Sequence, residues 1–322
     1  MCLDVKRGGV VRIAGNGVFV TLVCACFISC SVQSVAVNML ADAMSGSTAG
    51  VFASDDSPEF VADAIPFGLK LNEALLEQTP DHKGLLLAIA SGYTQYSYAF
   101  VQLQADTLTP WNSNRSKELK SYAKKLYLRS RTYGFRAIEV DWPGFKTNLF
   151  ANPDSTLALM TTEDVPALYW LGLSWMGAIT ISMADMNLLS ELQYAEKVLR
   201  KCLELDEDYG EGAIHEFFIT YDGSRGEAMG GGADKAIVHY KRAQELNGGR
   251  KASPHVALAS SVAIRNQDVE LFRDLLRQAL SIDVQAYPEN KLENTIAQRK
   301  ADWYLRNINN YFLLDEGNSD DE

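Results

Sequence analysis

Histidines, clustered carboxylates, cysteines and a glycine run are the residues of this 322-residue chain that could do chemistry. His215 stands beside Glu216, but the second histidine that would set two metal ligands on one helical turn is missing. His82, His239 and His255 are scattered without a partner at ligand spacing, which suits core or surface roles. Glu204, Asp206, Glu207 and Asp208 crowd the end of a helical pattern, where carboxylates are usually solvated. Acid–base work would need one buried Glu with a raised pKa, and nothing in the sequence marks such a residue. Gly230-Gly231-Gly232 opens a helix whose amino end could hold an anion. No Gly-Lys-Ser/Thr follows, no strand precedes it, and Asp234 near the helix start would repel phosphate. No catalytic residue, metal site or cofactor is therefore expected, and binding is the function class that remains.

The bulk composition narrows the partners. Hydrophobic residues make up 47% and charged residues 22%, the balance of an ordinary folded protein. The net charge of -11 argues against nucleic acid, which requires clustered Lys and Arg to displace phosphate counterions. One basic run, Lys117, Lys120, Lys124, Lys125, Arg129, Arg131 and Arg136, shares its helix with Glu118 and Glu139 and reads as a solvated face.

The amino terminus reads as a targeting segment. Lys6, Arg7 and Arg12 precede an apolar stretch from Val18 to Ile28, too short to span a bilayer. It ends in Phe27-Ile28-Ser29-Cys30-Ser31, which resembles a loose bacterial lipobox with Cys30 as the acylated residue. Val23-Cys24-Ala25-Cys26 offers Cys26 as a competing site, and an ordinary cleaved signal is the plainer alternative. Residues 1–29 are thus expected to be a lipoprotein signal peptide. Residues 30–57, with Ser45-Gly46-Ser47-Thr48-Ala49-Gly50, are expected to be a flexible tether, 58–314 a helical domain, and 315–322 an acidic disordered tail. Acyl chains on one cysteine would hold the domain at a membrane surface. With Cys30 as the first mature residue, Cys202 is the only other cysteine and no internal disulfide can form.

The elements that must position any site repeat along the chain. Ala195, Leu199 and Cys202 lie on one helical face, small at the ends and larger between, and Ala236, Tyr240 and Ala243 repeat the pattern. Phe272, Leu276 and Ala279 give the spacing again, and Ala123, Tyr127 and Ser130 give an earlier copy. Small residues let neighbouring helices approach, while the larger one between them fills the gap to the next helix. Each copy follows a partner stretch: Leu86, Ile89, Ala90 and Tyr93; Trp170, Leu173 and Gly177; Ala213 to Tyr221; Pro254 to Arg265. Leu292 to Leu314 reads as one long amphipathic helix covering the last pair. No stretch alternates as a strand does, so the expected fold is all-α: stacked helix hairpins, about four degenerate repeats plus a C-terminal helix.

These pairs resemble tetratricopeptide repeats (TPRs), although Glu207 and Gly248 stand where that motif ends its second helix with Pro, and inserts at 107–116 and 141–164 break the period. More specifically, Ala167-Leu168-Tyr169-Trp170, Gly230 to Ala236, His239-Tyr240-Lys241-Arg242-Ala243 and Phe272-Arg273-Asp274-Leu275-Leu276 with Ala279-Leu280 resemble the T component of tripartite ATP-independent periplasmic (TRAP) transporters. The resemblance implies a periplasmic, lipid-anchored scaffold that docks a solute-binding protein and assists uptake of a small apolar or acidic organic ligand. It also implies a homo-oligomer, a trimer, with a channel or cavity in each subunit. The alternative is a TPR-like lipoprotein that assembles outer-membrane or cell-wall machinery without a small ligand.

Stacked hairpins expose the first helix of each pair on the concave side, so ligand contacts should come from there. Leu87, Ser91 and Gln95 lie on the helix face away from Leu86, Ala90 and Tyr93, and Phe218 with Tyr221 would hold the comparable place later, unless these two are simply core. Trp111 and Trp142 stand in turns, where an aromatic side chain can anchor a partner.

Overall fold

The computed structural model describes residues 48–313. Cys30, Cys26, the leader and the acidic tail lie outside the described residues, as does most of the expected tether. In chain order the helices are α1 (Thr48–Ala53), α2 (Pro58–Gln78), α3 (Lys83–Tyr96), α4 (Ser113–Glu139), α5 (Phe145–Ala151), α6 (Pro153–Leu157) and α7 (Val165–Thr180). They continue with α8 (Met186–Leu189), α9 (Leu192–Leu205), α10 (Tyr209–Gly223), α11 (Ala233–Asn247), α12 (Ser253–Leu258), α13 (Val269–Ser281) and α14 (Lys291–Arg306). Two inner helices run on through a π turn: α3 through Ser97–Gln102 into Leu103–Leu108, and α12 through Ala259–Ala263 into Ile264–Asn266. No strand occurs among the described residues.

Local signals set the helix starts. Asn112 and Asp268 accept from the third following backbone N–H, Arg115 at 3.1 Å and Leu271 at 2.9 Å, and Pro58, Pro166 and Pro254 occupy first turns where no N–H is needed. Helices α3/α4, α7/α9, α10/α11 and α12/α13 then pack as successive antiparallel hairpins, with α2 ahead of the first and α14 behind the last. The small–large–small faces are the packing surfaces: Ala123, Ser130, Ala195, Leu199, Ala236, Phe272, Leu276 and Ala279 are wholly buried.

The larger residue of two repeats seats on a glycine of α7. A Cβ at Gly172 would stand 2.5 Å from Leu199 Cγ, and one at Gly177 would stand 2.6 Å from the Tyr127 ring. Glycine is thus required on α7 by its neighbours α9 and α4 rather than by its own backbone. The apolar core runs in two lobes that meet on α10, where Phe218 belongs to one and Ile219 to the other.

Four of the seven cations of the basic run on α4 pair with carboxylates of other segments, while Lys117 and Lys125 are exposed. Lys120 pairs with Asp106, Lys124 with Asp185, Arg129 with Glu73 and Arg131 with Glu191. The inserts fold as short pieces: 109–112 is a turn, and 141–164 contains α5 and α6.

Two ends differ from the sequence expectation. The last helix stops at Arg306 rather than continuing to Leu314, because the Asn307-Ile308-Asn309-Asn310 run favours turns and Asn307 Nδ2 donates to the Trp303 carbonyl at 2.8 Å. At the other end, the Thr48-Ala49-Gly50 part of the expected tether begins α1, which lies against α14.

That contact closes the stack. Lys291 on α14 pairs with Asp56 at 2.9 Å, Arg299 pairs with Glu59 on α2, and Lys300 reaches the Tyr98 hydroxyl at 3.5 Å. First and last helices therefore meet, and the hairpins form a ring.

Candidate functional site

The inner face of the ring is identified by what crosses it. Gly84, Leu87, Ser91, Gln95 and Tyr98 fall on one stripe of α3 and its extension, and all of them keep uncovered surface. Tyr98 meets Lys300 of α14, so this stripe turns toward the last helix. Leu87 packs partly against the core, Ser91 binds its own helix at the Ala88 carbonyl, and Gln95 is exposed.

Opposite this stripe, three helices and a turn bring together charged groups that are far apart in sequence. Ser253 Oγ lies 2.9 Å from Glu216 Oε2 on α10 and 2.7 Å from Glu293 Oε1 on α14. A single hydroxyl hydrogen cannot serve two carboxylates, so the arrangement is satisfied when one carboxyl is protonated and donates to Ser253 Oγ. Glu216 is that group: burial, reinforced by the Glu293 charge, pushes it up to about 7. Lys251 reaches Glu293 at 3.4 Å and Glu211 at 3.8 Å. Burial works to lower the Lys251 ammonium, and the charges of Glu293, Glu216 and Glu211 outweigh it and hold it above its ordinary value. Tyr169 of α7 sits within the field of Glu216 and Glu293, packed edge-on to Trp170 and Tyr209 at 5.0 and 5.1 Å.

The turn into α10 is bent to serve this cluster. Gly210, Glu211 and Gly212 all have left-handed backbone, and Glu211, a side chain that adopts φ 59° only at some cost, is held by Arg250 at 2.5 Å. The Gly210 carbonyl accepts from Lys251 at 3.3 Å.

Behind the inner face lies a histidine pair. His215 Nδ1 and His239 Nδ1 are 2.8 Å apart, and His215 Nε2 is 3.1 Å from Glu207. Burial lowers both rings, and the neighbouring His215 takes His239 down to about 4, so one neutral imidazole donates to the other. His255, between Tyr240 at 2.8 Å and Gln244 at 3.0 Å, is likewise lowered by burial to about 4. No group of three metal-binding side chains occurs among the described residues.

The other sequence candidates fall elsewhere. Phe218 is fully buried, stacked on His239 and covered by Arg200 at 4.9 Å, and has no open face. Tyr221 donates to Glu196 at 2.8 Å under the Arg225 guanidinium, 3.6 Å from its ring. Trp111 is 73% exposed on the turn before α4. Trp142 donates to Asp164 at 3.0 Å and lines, with Pro143, Phe145, Leu159 and Met160, an open depression of about 330 Å³. The structure therefore groups Leu87, Ser91 and Gln95 on one stripe of α3 and leaves Trp111 and Trp142 on turns. Sequence reading named His215-Glu216 only as a failed metal motif and missed Lys251, Ser253, Glu293 and Lys300. Their one legible signal is that Glu293 and Lys300 are seven residues apart, on one face of an amphipathic helix.

Comparison with known proteins agrees with this architecture. The family described as the TRAP transporter T-component matches residues 54–312, from the turn before α2 to beyond the end of α14. An uncharacterised protein of Treponema pallidum (strain Nichols) is 30% identical over 267 residues, covering 82% of this chain and 83% of that protein. A chain matched over residues 54–312, with a relative of similar extent, belongs to the T-component family of TRAP transporters.

Proposed function

We propose that this protein is a periplasmic scaffold of a TRAP-type transporter, held at the membrane by acylated Cys30, that docks the transporter's solute-binding protein and assists uptake of a small organic ligand. The observation that carries the reading is the closed ring: a T-component chain whose inner helices turn partly uncovered side chains, Leu87, Ser91, Gln95 and Tyr98, toward a shared interior. Among the described residues no helix is long and apolar enough to cross a membrane. Trp111 and Trp142 are the docking anchors in this reading, because they offer aromatic surface on turns. The protein acts as a homo-oligomer, a trimer, with one interior per subunit.

The test uses purified mature protein and the solute-binding protein of the same transporter, with affinity measured by titration calorimetry. Alanine at Trp111 or Trp142 is expected to weaken docking by about tenfold, the scale of a lost interface aromatic. Unchanged affinity in both variants would remove these turns as the docking surface. No binding of the solute-binding protein, with capture of outer-membrane or cell-wall assembly proteins instead, would replace the transport reading by the assembly one.

A further inference from the structure

Helix α2 packs against α3 and buries Val61, Leu69, Asn72 and Leu76. On its other side Phe60, Ala64, Phe67, Leu71 and Ala74 follow one another at spacings of four, three, four and three residues, the rhythm of helix-on-helix packing. That rhythm puts them on one stripe turned away from the buried residues. Phe60 and Phe67 are 70% and 74% exposed, Leu71 and Ala74 are exposed as well, and Ala64 is half-buried. Gly68, beside the stripe, has open space where a Cβ would stand. Apolar residues scattered singly on a surface need no partner, but a continuous seam of large and small ones has the relief on which a second helix packs.

The chain that precedes α1 carries the matching pattern. Residues 32–44 lie outside the described residues, and their sequence sets Val32, Ala36, Met39 and Ala43 at spacings of four, three and four, with Val35 and Leu40 at their sides and Ser34 and Asn38 on the far side. As a helix this segment spans about 20 Å, and the seam from Phe60 to Ala74 spans about 21 Å. Run antiparallel, the two patterns fall into one register: Ala43 opposite Phe60, Met39 opposite Ala64, Ala36 opposite Phe67 and Val32 opposite Leu71. Each Phe then faces an alanine, and Met39 faces Ala64 beside Gly68. The described chain also begins at the right end. Helix α1 lies against α14, and α2 starts beside α14 through Glu59 and Arg299, so residue 48 and the Phe60 end of the seam are close together.

We propose that residues 32–44, within the expected tether, form a helix that lies antiparallel on α2 and covers the Phe60–Phe67–Leu71 seam. The consequence is for the anchor, and that consequence rests on acylation of Cys30. Unstructured, the residues between Cys30 and α1 would let the ring sit about 23 Å on average from its lipid, in any orientation. With 32–44 docked, Ser31 alone separates Cys30 from the ring wall, and the acyl chains leave at the Leu71 end of α2. The ring is then held against the membrane in one orientation, which fixes the side it offers to a partner.

The test is hydrogen exchange on the mature chain, residues 30–322, carrying Cys30→Ser so that no lipid is attached and the outcome is independent of the anchor. Residues 32–44 are expected to exchange about tenfold or more slower than an unstructured chain, at a rate that does not change with protein concentration. Phe67→Asp and Met39→Asp should each abolish that protection and leave the urea midpoint of the ring nearly unchanged. With copper phenanthroline as oxidant, the double variant Ala36→Cys/Phe67→Cys should close a disulfide within one chain, whereas Asn38→Cys/Phe67→Cys, with its first position on the far face, should not. Cys202 is buried and does not compete. Exchange of 32–44 at the unstructured rate would overturn the proposal. Protection that rises with protein concentration, or a disulfide between chains, would overturn it by giving the seam to a second copy. Protection seen only with phosphatidylethanolamine vesicles would overturn it by giving the seam to the membrane.

Discussion

At the residue scale, Gly172 and Gly177 set how closely α7 approaches its neighbours by having no Cβ. Gly172→Ala would drive a methyl to 2.5 Å from Leu199 Cγ in a fully packed interior, and overpacking of this kind costs about 1–3 kcal/mol. A urea denaturation midpoint lowered by that amount is expected, whereas the half-buried Gly68, with nothing near its Cβ, should accept Ala without loss. Titration is the other residue-level consequence. His215, His239 and His255 have folded pKa values below their ordinary 6.5, so as pH falls the unfolded chain takes up protons first. The stability they contribute is complete above about pH 6.5 and is lost toward pH 4. Glu216 runs the other way: raised from 4.5 to about 7, it contributes stability that is complete below pH 4.5 and lost as pH rises through 7. Urea midpoints from pH 4 to 8 should therefore separate Glu216→Gln from wild type progressively above pH 4.5. Parallel curves for the two proteins would show that Glu216 does not hold its proton in the fold.

At the element scale, much of the hairpin stack was legible because its signal is local. Ala195, Leu199 and Cys202 name their own packing face through helical spacing, and the structure buries all three. The same logic failed at the chain end, where an apolar pattern ran on to Leu314 and the Asn-rich stop after Arg306 outweighed it. It failed more completely for the interior cluster. Glu216, Lys251, Ser253, Glu293 and Lys300 come from three segments, and only ring closure makes them neighbours; no spacing within one helix encodes that meeting. Phe218 shows the converse, since an aromatic at the right helical position was set by core packing, with its face against His239. Helix α10 is where local and distant demands collide. Its left-handed start at 210–212 presents Glu211 to Arg250, so Glu211→Gly should relieve backbone strain while removing that pair. Its effect on the urea midpoint is expected to be smaller than that of Arg250→Ala, which leaves Glu211 only the more distant Lys251, at 3.8 Å, as a cation partner without relieving the strain; the reverse order would show that the strain is negligible.

At the scale of the whole molecule, the ring is only as closed as its seam. Every other neighbouring pair of hairpins is joined by buried apolar contact, but α14 meets the start of the chain through Lys291–Asp56, Arg299–Glu59 and the six-residue α1. These ion pairs are exposed, pay side-chain entropy to form and are screened by salt, so they fix position more than they add stability. Local opening is expected to start where buried contact is least, which places it at this seam. Hydrogen exchange should therefore show α1 and the first turn of α2 exchanging well before α4 or α9, and the difference should widen as salt is raised. Replacing Glu59 and Lys291 together by Ala should speed exchange in those segments by several-fold and leave the global urea midpoint nearly unchanged. A large fall in that midpoint would mean that closure is part of the cooperative core. Uniform exchange across the ring would mean that the seam holds as firmly as the packed hairpins, and that the interior is reached from the ring's ends instead.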